Sequence, residues 1–263
     1  MTGSGTESQL TLPRWSEAVR GIPNIALRTA LFGAIKKGAR PYLEQEEIHS
    51  QDGISIFYTG VRLDQGDLDV WETILHVIRL QSLGKKCRIT GYQFLKLLGK
   101  TDTGKNRETL NCRLSRLKAT ALNVKVGKYS YEGSLINEIF RDEDSREFVI
   151  CLNSQLRNLF EPGCYTQIDW NMRHHLVGKP LAQWLHGYYT SHTVIYPIKI
   201  ETLHKLCGSE AEMRRFRQTL AAALNDLAEI SNMNGVPFRY EIRDNMVYVE
   251  RKAGTRIVHR ERK

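Results

Sequence analysis

The hydrophobic positions of the chain follow two periods in turn, and they do so twice. Val70, Trp71, Ile74, Leu75 and Ile78 recur at three- and four-residue steps, the mark of one buried helical face. A short apolar stretch, Phe94-Leu95-Lys96-Leu97-Leu98, closes on Gly99, as a helix does when its end requires a left-handed residue. A third helical stretch carries Leu110, Leu114 and Leu117 on a single stripe. The period then falls to two, through Val124-Lys125-Val126-Gly127-Lys128-Tyr129-Ser130-Tyr131 and Leu135 to Phe140. An acidic turn at Asp142-Glu143-Asp144 leads on to Phe148 through Leu152. The same succession returns later. Trp184 and Leu185 with Tyr188 and Tyr189 mark a first helix, Leu203-His204-Lys205-Leu206-Cys207-Gly208 a second, and Leu220, Leu224 and Leu227 a third. A hairpin follows, Phe238 to Arg243 and Met246 to Val249 about Asp244-Asn245.

Three helices and a hairpin, repeated in one order, predict an α+β chain of two tandem winged-helix domains related as a pseudo-repeat. Extra elements precede the first copy: a helix over Asn24 to Lys37 and a strand at Ile54-Ser55-Ile56-Phe57-Tyr58. The breaker Pro162-Gly163 sets the boundary. The reading is a flexible segment 1–15, an N-terminal winged-helix domain 16–162, a C-terminal one 163–250 and a basic tail 251–263.

Composition adds a partner class. With 41% hydrophobic and 25% charged residues the chain is an ordinary globular one, so its charge must be explained on a folded surface. That charge is +9, which favours a polyanion, either nucleic acid or an anionic membrane surface. No apolar run approaches the roughly 20 residues that span a bilayer, and the first residues lack the order of a secretion signal, so a cytoplasmic protein is expected. The five cysteines, Cys87, Cys112, Cys151, Cys164 and Cys207, are odd in number and scattered. They read as reduced, with neither a disulfide framework nor a zinc site.

On a winged helix the third helix enters the major groove, so the faces of these two helices are the candidate site. Opposite the first leucine stripe stand Lys105, Thr109, Cys112, Ser115, Arg116 and Ala119, small residues among basic ones, with Thr109, Cys112, Ser115 and Arg116 as base-reading candidates. In the second helix Met213, Phe216, Leu220 and Leu224 point inward and leave Arg214, Arg215, Gln218, Ala222 and Asn225 outward. Arginine binds guanine and glutamine binds adenine with two hydrogen bonds, which makes Arg215 and Gln218 the preferred base readers, with Arg214 and Asn225 beside them. Lys105, Arg107, Arg113, Lys118 and Arg217 lie nearer the flanks as phosphate contacts, joined by Lys125, Lys128, Arg239 and Arg243 on the hairpins. Arg251 and Lys252 open a basic tail that reads either as nonspecific phosphate binding or as a solubilising end. The competing reading of both helices is a solvated basic face, but the second concentrates its arginines near its N-terminus, where the helix dipole disfavours cations.

No catalytic constellation, cofactor or metal site is found. Gly99-Lys100-Thr101 copies the end of a phosphate-binding loop, but Phe94 stands where its first glycine belongs. Tyr188-Tyr189 and His174-His175 resemble the nucleophiles and ligands of DNA-nicking enzymes without their histidine spacing, and a core role for the tyrosines is favoured. His204 and Cys207 are two ligands, too few for zinc.

Several strings carry a family resemblance: Arg20-Gly21-Ile22-Pro23-Asn24 with Ala30-Leu31-Phe32, Leu63-Asp64-Gln65-Gly66-Asp67-Leu68-Asp69-Val70-Trp71-Glu72, Thr166-Gln167-Ile168-Asp169-Trp170 and Lys179-Pro180-Leu181-Ala182-Gln183-Trp184-Leu185-His186-Gly187. From about Leu12 to Val249 the chain resembles the TrfA family of plasmid replication initiators. The resemblance implies tandem winged helices that bind direct repeats, the iterons, in double-stranded DNA at a plasmid origin. It further implies opening of an adjacent AT-rich element, with contact to its single strands, and recruitment of host DnaA, DnaB helicase and the polymerase clamp. A monomer would initiate and a homodimer would limit copy number. Gln9, Leu10 and Leu12 partly match a clamp-binding peptide, with Pro13 in place of its terminal aromatic. The alternative class is a winged-helix repressor of its own promoter or operator.

Overall fold

The structure, a computed structural model, describes residues 11–251 apart from positions 36, 37, 39, 52, 128 and 143. Gln9, Leu10, Lys128 and Lys252 lie outside the described residues. The chain enters through β1 (Val19–Pro23), a single helical turn α1 (Asn24–Leu27) and the short β2 (Phe32–Gly33). The helix expected over Asn24 to Lys37 is thus one turn. Residues Ile25 through Phe32 are buried on nearly every side, so they form no helical stripe, and Thr29 turns its hydroxyl back onto the Ile25 carbonyl at 2.6 Å. The expected flexible start also ends early. Leu12 and Trp15 sit in the core, and Trp15 stacks on Phe160 and donates its indole N–H to His76 at 3.0 Å.

Strands β3 (Tyr42–Glu47) and β4 (Ile54–Val61) pair antiparallel, and β5 (Leu63–Asp64) runs parallel to β2 before the chain enters α2 (Gln65–Ile78). Next come β6 (Cys87–Thr90), α3 (Gly91–Leu97) and α4 (Gly104–Lys118). Gly99 takes the left-handed conformation, φ +63°, that its place after α3 requires. Four strands follow: β7 (Ala121–Val126), β8 (Tyr129–Gly133), β9 (Glu138–Asp142) and β10 (Glu147–Cys151). A 3-10 turn, Ser154–Phe160, leads into β11 (Tyr165–Asp169), which returns antiparallel to β1. The second half is α5 (Trp170–His175), α6 (Pro180–Ser191), β12 (Ile198–Lys199), α7 (Ile200–Leu206), α8 (Met213–Met233), β13 (Phe238–Arg243) and β14 (Met246–Arg251).

The repeat is more exact in space than along the chain. The order α2, β6, α3, α4, β9, β10 corresponds to α6, β12, α7, α8, β13, β14, and both three-stranded sheets place the last strand centrally, β6-β10-β9 and β12-β14-β13. The hairpin β7–β8 stands outside this plan. Through Ile56 opposite Val124 and Tyr58 opposite Leu122 it joins β3 and β4 in a separate four-stranded sheet. Lys125 therefore lies on that sheet and not on the hairpin equivalent to β13–β14.

One apolar core gathers residues from Leu12 to Ile168 and the other residues from Met172 to Val247. They part at the start of α5, past Pro162, because β11 still pairs with β1. The halves pack through α6 against α1 and α2. Tyr189 and Tyr188 lie in the second core, Tyr188 stacked on Trp184, as the favoured structural reading of the tyrosines requires.

His186 on α6 is buried, and its Nδ1 has no hydrogen-bond partner among the described residues. Burial, then the Arg173 and Arg251 charges, push its pKa down from the ordinary 6.5 to about 3. The unfolded chain therefore takes up this proton first. The stability tied to neutral His186 is fully present above pH 6.5 and falls as pH drops toward 3, by about 1.4 kcal/mol per pH unit. His186→Gln should flatten the acid limb of a denaturant-midpoint against pH curve; an unchanged limb would assign it to His76, whose pKa burial pushes down to about 4.

Candidate nucleic-acid interface

The two third helices, α4 and α8, bury their leucine stripes as expected, but what they offer solvent differs. In α8, Phe216, Leu220, Ala223, Leu224 and Leu227 face the core and Met213 is partly buried. Arg214, Arg215 and Gln218 are exposed, and their side chains have no hydrogen bond or ion pair among the described residues. No acidic side chain stands in the first turn of α8 and the N-cap residue Glu212 makes no cap hydrogen bond, so the two arginines sit at the positive end of the helix, where the dipole disfavours them. Arg217 is held. Its Nη2 donates to Asn245 Oδ1 at 2.9 Å, and Asn245 in turn donates to Glu201 Oε1 at 2.5 Å, tying the β13–β14 turn to α7 and α8. Asn225 accepts the Tyr240 hydroxyl at 2.6 Å, which engages it with β13. Arg239 and Arg243 are exposed on that hairpin, Arg243 with its guanidinium 5.0 Å from the Tyr248 ring centre. Arg251 donates to the Tyr189 carbonyl at 2.9 Å, so it fastens β14 to α6 and is no part of a free tail.

In α4 the exposed side chains are Lys105, Arg107, Glu108, Thr109, Asn111, Cys112, Ser115 and Lys118. Thr109 is turned back onto the Lys105 carbonyl at 2.8 Å, and Arg107 is clamped by both carboxylate oxygens of Asp102, at 2.5 and 2.6 Å. Arg113 and Arg116 depart from the expected outward positions. Their side chains are 17% and 19% exposed and turn toward the N-terminus of α2. Arg113 donates to Asp64 at 2.9 Å and Asp67 at 3.3 Å; Arg116 donates to both Asp67 oxygens at 2.8 Å. Arg40 joins from the opposite side, donating to Asp67 at 2.8 Å and to Asp64. The helical wheel fails here because α4 has a second neighbour, α2, beside its leucine stripe.

The two carboxylates also cap α2 reciprocally, Asp64 Oδ1 accepting the Asp67 N–H at 2.8 Å and Asp67 Oδ2 the Asp64 N–H at 2.9 Å. Burial pushes the Asp64 carboxyl up, but Arg113, Arg40 and the cap outweigh it and hold it below the ordinary range. Asp67, more deeply placed, goes up through burial and the neighbouring Asp64 charge. Gly66 is part of the arrangement: a Cβ there would lie 2.2 Å from the Arg113 guanidinium. Sequence reasoning did not single out this cluster, although Asp64 and Asp67 at capping-box spacing are a legible sign of a helix start.

A cleft of about 690 Å3 opens between the halves, with Lys100, Lys105, Arg113, Arg173, His174 and Gln183 in its lining. Leu12 is 2% exposed, so the proposed clamp-peptide leucine is committed to the core. Among the described residues no group of three or more His, Cys, Asp or Glu could hold a metal ion, and no helix is long and apolar enough to cross a membrane.

This α+β arrangement is a fold shared with solved structures. Domains 2 and 3 of RctB superpose with a TM-score of 0.58 at 14% identity, over 88% of this chain and 98% of that one. The Pi initiator protein, solved in complex with iteron DNA, does so with a TM-score of 0.51 at 10% identity, over 70% and 90%. A family model described as TrfA protein matches residues 6–251, and the chain belongs to that family. The plasmid replication initiator protein TrfA of Escherichia coli is 27% identical over 257 residues, 93% of this chain; the chain spans 66% of that relative's length.

Proposed function

We propose that the chain is a plasmid replication initiator that grips iteron DNA with two tandem winged-helix domains, α4 with the β9–β10 hairpin in one and α8 with β13–β14 in the other. The observation that carries this reading is the exposed, unpartnered Arg214, Arg215 and Gln218 at the N-terminal end of α8, the part of such a helix that meets base edges. Family membership and the fold shared with a protein crystallised on iterons support it. Arg215 and Gln218 read bases. Lys105, Lys118, Arg217, Arg239 and Arg243 contact phosphates, with Thr109, Cys112 and Ser115 facing the groove. The bound protein opens an AT-rich element, contacts its single strands and recruits DnaA, DnaB helicase and the clamp in the bacterial cytoplasm, and a homodimer limits copy number. It acts by binding, with no catalytic step.

Footprinting of the purified protein on origin DNA tests this. Protection of several head-to-tail repeats, one protomer to each, is expected. A single palindrome protected by a dimer would replace the initiator with a repressor.

A further inference from the structure

The two halves meet across a buried charge cluster. Arg173, on α5 of the second half, is 1% exposed. Its Nε donates to Asp69 Oδ1 at 2.8 Å and Glu72 Oε1 at 2.7 Å, and its Nη2 to the Gln65 carbonyl and side-chain oxygen at 3.2 Å each. All three partners belong to α2 of the first half. Burial, helped by the adjacent Asp69 carboxylate, pushes the Glu72 carboxyl up against the opposing pull of the Arg173 guanidinium, so the cluster is held together by its geometry and not by an excess of negative charge. Two further contacts flank it in the same sense: the Trp170 indole N–H donates to the Leu97 carbonyl at 3.2 Å, and His174 Nε2 lies 2.8 Å from the Leu98 carbonyl.

The position of this cluster gives it a use beyond cohesion. Helix α2 packs on α4, while α5 and α6 pack on α8, so Arg173 links the two DNA-facing helices through one side chain. A buried ion pair is often no more stabilising than apolar side chains of the same volume, so cohesion alone does not explain it. A planar guanidinium with several partners does specify a single orientation, where an apolar contact would tolerate sliding.

We infer that Arg173 is a positioning residue that fixes the separation and rotation of α8 relative to α4, and thereby sets the spacing between the two parts of a DNA site that the chain accepts. This rests on the reading that both helices meet one DNA site. One base pair inserted between the two parts rotates one against the other by about 34° and moves it by about 3.4 Å, which a rigid pair of helices cannot follow.

The experiment compares the full chain with the Glu72→Leu/Arg173→Met variant on a natural site and on sites lengthened or shortened by one base pair between the two footprinted segments. Anisotropy titration reads affinity, and circular dichroism establishes that each variant is folded. The unmodified protein should lose about tenfold or more on the altered spacings, as for a misplaced base pair. The variant should lose less than about threefold, having exchanged a directional joint for a sliding one. Arg173→Lys keeps the buried cation without the fork and covers the case in which the double variant does not fold; it should fall between the two. A folded variant or Arg173→Lys protein that keeps the full spacing penalty overturns the role of Arg173 while leaving the two-helix reading intact. No spacing penalty in the unmodified protein overturns both.

Discussion

Asp67→Asn is expected to cost the folded state about 3–5 kcal/mol, as removal of one partner from a buried ionic cluster does. Asp67 is fully buried and accepts from Arg40, Arg113 and Arg116, three guanidinium groups brought from a loop and from α4. Asparagine keeps the size and one acceptor of the α2 cap but removes the charge. That leaves three cations facing Asp64 alone, in a place where water cannot replace the missing carboxylate. The loss should appear in the urea midpoint at neutral pH, with an unchanged slope if the fold itself is kept. Arg116→Met should cost less, because the carboxylates keep two arginines. A loss below about 1 kcal/mol for Asp67→Asn would put the cluster on the level of surface ion pairs and remove its claim to anchor α4.

The same cluster shows where sequence reading stops. The helices of both halves were legible because each needs a single stripe, and Leu110, Leu114, Leu117 and Leu220, Leu224, Leu227 supply it without ambiguity. The outward side of α8 was legible for the same reason, since that helix leaves one continuous face to solvent. Helix α4 is gripped on two sides, and a wheel drawn from one stripe cannot reveal that Arg113 and Arg116 belong to a second contact. The hairpins set another limit. Alternation marks β7, β8, β9 and β10 as strands but is silent on which neighbour each chooses. The deciding partner of β10 is β6, four residues long and some sixty positions earlier. Leu12 and Trp15 were hidden by a polar, glycine-rich start that gave no period to read.

Under the proposed function, the halves consequently divide the work of binding. In the first, the acidic side chains Asp64, Asp67 and Asp102 engage all three arginines of α4, and Asp142 and Glu147 of the β9–β10 hairpin are paired with Arg88 of β6. The remaining cations of α4, Lys105 and Lys118, suit positioning on phosphates. In the second, the Arg214 and Arg215 side chains have no such partners among the described residues, and the hairpin adds the exposed Arg239 and an Arg243 that lies 3.9 Å from Glu241 and 3.8 Å from Asp244.

Arg215→Ala and Gln218→Ala should therefore each weaken specific DNA binding by about 1–3 kcal/mol, roughly 5- to 150-fold, and each should relax preference at one base position. Neither should cost stability. Arg215 lies in the first turn of α8, where the dipole opposes a cation, so its removal should leave stability unchanged or raise it by a few tenths of a kcal/mol in a thermal melt. This separates it from Asp67→Asn, where the fold is what suffers. Lys105→Ala is the internal contrast: without its phosphate partner, the protein should bind every sequence more weakly alike, and the slope of log affinity against log salt should fall by about 0.9. Gln218 carries no charge, so its variant should keep the full slope. If Arg215→Ala instead reproduces the Lys105→Ala pattern, with uniform loss and a reduced slope, α8 holds the backbone and base recognition must be sought at Thr109, Cys112 and Ser115 on α4.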